Sequence, residues 1–113
     1  MEGHQREVCD RYGATFTPPI DHDKVAISST ALAVDMPLHG LRHEPDEGST
    51  GWYIWAGEWS NDEGFFQPLH VHHLCEDRPD ALPYLALPPG WRFLIAPEHE
   101  DVWQDRTLLG TKG

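Results

Sequence analysis

The chain has 113 residues and carries 19 acidic against 8 basic side chains, a formal charge of −11. Such a surface repels nucleic acid and anionic membranes and attracts basic proteins. This length suits one domain with one modest core (residues 1–113, core about 5–109), and ten prolines with ten glycines exclude a long helical bundle in favour of short elements and turns.

No stretch approaches the roughly 20 apolar residues that span a bilayer, and Met1 to Arg6 has no apolar run of the signal-peptide kind. Cys9 and Cys75 read as free thiols of a reducing compartment rather than as a disulfide framework. These features lead us to expect a soluble, cytoplasmic protein.

In chain order, residues 5–12 are predicted helical, with Val8 and Tyr12 on one face, Arg6–Asp10 and Glu7–Arg11 as i,i+4 pairs and Gly13 as the stop. Thr15 to Thr17 reads as extended. Lys24 to Ser28 alternates as a strand with Val25 and Ile27 inward, and Ser29-Thr30 then caps a helical turn through Val34. Residues 37–50 read as a long irregular loop, of the kind that is usually functional or mobile.

The densest segment is Gly51-Trp52-Tyr53-Ile54-Trp55-Ala56-Gly57-Glu58-Trp59, which holds three of the five tryptophans. Aromatic and β-branched residues suit a pleated surface, so Trp52 to Glu58 is predicted as a strand. Trp52, Ile54 and Ala56 share one face, and Tyr53, Trp55 and Gly57 the other. Apolar residues on both faces place it inside a sheet, and Gly57 suggests a close approach of another backbone or ring.

After a turn at residues 60–64, Phe65-Phe66 re-enters the core, and Pro68 to His72 is predicted as a strand with Leu69 and Val71 inward. A short helix opens near Pro79, with Leu82 and Leu85 buried. Trp91 to Ile95 is the second clear strand, expected beside Trp52 and Ile54, and Asp101 to Gln104 returns antiparallel to it. Together these elements indicate an α+β fold, mainly an antiparallel sheet with short helices packed on it.

Chemistry is sparse. His70, His72 and His73 are candidate metal ligands, since imidazoles at i,i+2 on a strand share a face, but no CxxC or HExxH motif accompanies them. No glycine elbow, triad order or phosphate cradle is present. Two further possibilities stay open: a small metal-binding protein or metal-dependent enzyme built on these histidines, and an aromatic-lined small-molecule binding module.

The phrases Gly40-Leu41-Arg42-His43, Gly51 to Glu58, Phe65-Phe66-Gln67-Pro68-Leu69-His70-Val71, Tyr84 to Leu94 and Asp101-Val102-Trp103 resemble the immunity protein 33 domain family of bacterial polymorphic-toxin systems, over most of the chain from Val8 to Leu109. The resemblance implies a non-catalytic cytoplasmic protein, without a cofactor, that binds and neutralises a toxin domain. The charge makes that toxin a basic one. For its docking surface we expect Arg42, His43, Glu58, Trp59, Asp62, Glu63, Glu98, Glu100 and Asp101, in which acidic turns form the rim and exposed aromatics the anchors.

Overall fold

The computed structural model describes residues 2–20, 23–33, 36–45, 48–60 and 62–109, without the side chains of Glu2 and Cys75. The elements run α1 (Glu2–Tyr12), β1 (Lys24–Ser28), α2 (Ser29–Leu32), β2 (Leu38–Arg42), β3 (Ser49–Ala56), β4 (Phe66–His70) and α3 (Val71–Asp77). A 3₁₀ helix η1 (Pro79–Tyr84), β5 (Trp91–Ala96), β6 (His99–Gln104) and a 3₁₀ turn η2 (Arg106–Leu108) complete them. The fold is α+β: six strands in the order β4-β1-β3-β2-β5-β6, antiparallel throughout except for the parallel pair β1–β3.

The alternation of β3 sets the two faces. Trp52, Ile54 and Ala56 are 0–1% exposed and meet Val25 and Ile27 of β1, Leu38 of β2, and Phe93 and Ile95 of β5. Onto this face fall Val8 and Cys9 of α1, Ala31 of α2, Val71 and Leu74 of α3, and Ala81, Leu82 and Tyr84 of η1. Among the described residues α1, α2, α3 and η1 all pack on this side, which leaves the opposite face without them.

Residues 37–50, expected as an irregular loop, instead contain β2, an interior strand between β3 and β5. Leu38, Gly40 and Arg42 face the helices, in register with Ala56, Ile54 and Trp52. Glycine at 40 looks like a breaker in sequence, yet it is needed because a Cβ there would overlap the Phe93 ring. β2 also separates β3 from β5, so the segment Trp91–Ile95 is not the neighbour of Trp52 and Ile54 in the sheet, although the Trp52 and Phe93 rings meet at 5.5 Å.

Other boundaries move as well. β4 begins at Phe66 and stops at His70, which caps α3, so Leu69 and Val71 do not share a strand. Phe65 and Phe66 stay half-buried on the helix-free side. Thr15 to Thr17 lies in no strand, although Thr17 donates its N–H to Ala86 O at 2.7 Å. Ser28, not Ser29 or Thr30, caps α2 by accepting from the Ala31 N–H at 3.1 Å, and Val34 lies outside the described residues.

Gly57 has φ +73° and nothing within 4 Å of where a Cβ would sit, so conformation and not close approach calls for glycine there. The close approach is at Gly51 (φ +88°), where a Cβ would collide with the His43 carbonyl oxygen.

Candidate functional site

The helix-free face is assembled by register. One row crosses the sheet through Pro68, Ala26, Tyr53, Leu41, Arg92 and Trp103, and the next through Trp55, His39, Leu94 and Asp101. The rings on it are mutually ordered. His39 stacks on Trp55 (4.9 Å, 10°), Trp59 meets Trp55 edge-on (4.9 Å, 90°), and Phe66 packs edge-on to Tyr53 (5.2 Å) and Trp59 (5.2 Å).

This stacking buries Trp55 to 5% exposure while Trp59, one layer out, remains 49% exposed. Burial, and secondarily the Arg92 charge, pushes the His39 imidazole below its ordinary value, so it is neutral at physiological pH. Arg92 lies over Trp103 at 5.5 Å and donates from Nη1 to Asp105 Oδ2 at 3.2 Å. At the β4–β1–β3 end of the face a cleft of about 540 Å³ is bounded by Asp23, Lys24, Ala26, Ser49, Tyr53 and Phe66, among others.

The strand order gathers most of the expected acidic positions at one end of the sheet. Leu38 pairs with both Ala56 and Ile95, so the β3–β4 connection and the β5–β6 hairpin leave the sheet on the same side. Glu58, Trp59, Asp62, Glu63 and Glu98 are therefore at one end, and all are exposed. Asp101 is exposed on β6 in the same row as Trp55 and pairs with His99 at 2.9 Å.

Three expected positions do not join them. Arg42 is 3% exposed, and its guanidinium donates to the carbonyls of Thr50 (2.9 Å), Thr17 (2.8 Å), Leu87 (2.8 Å) and Leu85 (3.3 Å). Burial lowers it to about 10, still charged at neutral pH, and it serves as an internal tie rather than a partner contact.

His43 sits at the opposite end, exposed, with Nδ1 3.2 Å from Leu108 O and its ring edge-on to Tyr53. Glu100 turns toward the helices, where its carboxylate accepts from Arg11 (2.6 Å), Tyr12 (2.6 Å) and Tyr84 (2.8 Å). Burial pushes it up, but the three donors prevail and hold it below the ordinary range.

Sequence reasoning missed Arg78. It is 1% exposed, forks onto both Asp80 oxygens (3.0 and 2.7 Å) and donates to Ala31 O at 2.8 Å, joining α2 to η1. The Arg-Pro-Asp spacing was its only sign. Open aromatics on a sheet face leave no sign of their own in the sequence, because apolar alternation on both faces of a strand also suits full burial.

His70, His72 and His73 do approach one another, with centroids 4.2–6.0 Å apart, but across the end of β4 and the first turn of α3 rather than on one strand face. Among the described residues no group of three His, Cys, Asp or Glu is placed to hold a metal ion. Cys9 is 1% exposed with its thiol on Ala86 O at 3.5 Å, and burial with Asp10 raises it, which disfavours the nucleophilic thiolate. The Cys75 side chain is outside the described residues. Among the described residues no helix is long and apolar enough to cross a membrane.

One face sealed by helices, the other open and aromatic with carboxylates at one end, defines an α+β domain whose distinctive chemistry lies on its surface. The chain belongs to the Imm33-like domain family, an immunity-protein family, whose model matches residues 4–105. Comparison with curated proteins and with solved structures returns no match.

Proposed function

We propose that this protein is a cytoplasmic, non-catalytic immunity protein that neutralises a basic toxin domain by binding it, with no nucleic acid, membrane or cofactor involved. One observation carries the placement of the contact: a tryptophan half exposed on an ordered aromatic stack shares one end of the sheet with Glu58, Asp62, Glu63 and Glu98. A rigid aromatic anchor within a charged rim is the usual anatomy of a protein-binding hot spot. Asp101 extends the rim along β6, and His43 would be reached only by a partner covering the length of the sheet.

The test is association kinetics against a toxin captured from the native cell. Exposed carboxylates act mainly on the encounter rate and are screened within a Debye length of about 8 Å at physiological salt. Raising salt, or reversing Asp62 and Glu63 to Lys, should slow association by about tenfold or more and leave dissociation nearly unchanged. A rate indifferent to both would place the contact on apolar surface and reduce the acidic excess to a solubility device.

A further inference from the structure

The cleft beside Tyr53 exists because β3 breaks its register with β1: Lys24 pairs with Ser49 but Ala26 with Tyr53, so β3 spends extra residues on a bulge. The bulge is built in. Gly51 takes φ +88° with no room for a Cβ, and the Thr50 hydroxyl bridges it, donating to Lys24 O (3.0 Å) and accepting from the Trp52 N–H (3.1 Å). Bulges of this kind re-aim side chains and recur next to sites. Here it opens about 540 Å³ on the helix-free face, a volume ordinary for a binding pocket.

We propose that this cleft receives an arginine side chain from a basic polypeptide partner. The inference rests on the protein-binding function above and adds where the partner inserts and with what chemistry. Ala26 and Pro68 offer apolar surface to the methylene stem. The Tyr53 and Phe66 rings, held edge-to-face at 5.2 Å, offer π surface to a planar guanidinium. Asp23 lines the cleft half-buried, and its carboxylate has no hydrogen-bond or ion-pair partner among the described residues. A carboxylate without a donor favours a cation that supplies several. Lys24, the one cation of the described lining, is exposed, and the chain as a whole stands at −11.

The experiment is a two-dimensional NMR titration of the ¹⁵N-labelled full chain at fixed ionic strength with Nα-acetyl-arginine amide, Nα-acetyl-aspartate amide and Nα-acetyl-tryptophan amide. We expect saturable shifts at the Ala26, Ser49, Tyr53 and Gln67 amides with the arginine derivative, weakened about threefold or more in Asp23→Asn. No saturable shift at those amides, or preference for the aspartate or tryptophan derivative, overturns the proposal. Against a captured toxin, Asp23→Lys should weaken binding about tenfold or more. Unchanged binding by a folded Asp23→Lys variant removes the cleft and leaves the immunity function standing. Failure to capture any toxin counts against the immunity function instead, and the arginine titration alone then decides the cleft.

Discussion

The two faces of the sheet are made from the same strands and the same kinds of residue, yet they do opposite work. On the helix side Trp52 is fully buried, packs on Phe93 and donates its indole N–H to Leu85 O at 3.0 Å. On the other side the rings of His39, Trp59 and Phe66 pack on Trp55, and Trp59 and Trp103 remain 49% and 39% exposed. A buried tryptophan with its N–H satisfied stabilises the fold, whereas one ordered by neighbours and left half in water is preorganised for something else. Composition alone does not separate the two. What separates them is where the helices fall.

The sharpest way to break the comparison is to truncate one tryptophan on each side. Trp52→Ala should cost about 3–5 kcal/mol in chemical denaturation, through lost burial and the cavity left behind. Arg42→Met should come next, at about 3 kcal/mol, because it removes a side-chain donor from the carbonyls of Thr17, Thr50 and Leu87 and one of two from Leu85. Arg42→Lys should recover only part of that loss, since an ammonium lacks the planar fork.

Glu100→Gln should cost about 1 kcal/mol and show itself in the pH dependence. Its carboxyl is held below the ordinary value of about 4.3, so its stabilisation is complete above that pH and is lost as the pH falls through the folded value. The variant should therefore have a flatter acid limb in a series of melts. On the open face Trp59→Ala should shift stability by less than about 1 kcal/mol, and so should His70→Gln with His72→Gln. A Trp59→Ala variant that melts like a core variant would mean that the stack is structural, and the contrast between the faces would disappear.

The faces were half legible in the sequence. The alternation of Trp52, Ile54 and Ala56, the Val25/Ile27 pair of β1 and the β5–β6 hairpin could all be read, because period-2 burial and turn residues are local properties. β2 could not, since its glycine serves Phe93, 53 residues downstream. The parallel pairing of β1 with β3 likewise depends on contacts that no window of sequence contains. The burial of Arg42 is illegible for the same reason: its partners are backbone carbonyls, which leave no side-chain signature. The site followed this pattern. The acidic turns beside Trp59 were legible one by one, but that the β3–β4 and β5–β6 connections leave one end together follows only from the strand order.

The attachments of α1 bear on how the chain comes off the ribosome. The helix is secured by Gln5 to Leu82 O at 3.0 Å, by the Cys9 thiol to Ala86 O, and by Arg11 and Tyr12 to Glu100. All of those anchors are translated in the last third of the chain. A polypeptide that stops before η1 leaves Val8 and Cys9 uncovered, and one that stops before β6 keeps the Leu82 and Ala86 ties but lacks the carboxylate that holds Arg11 and Tyr12. All the ties of α1 are thus in place only in a chain translated through Glu100.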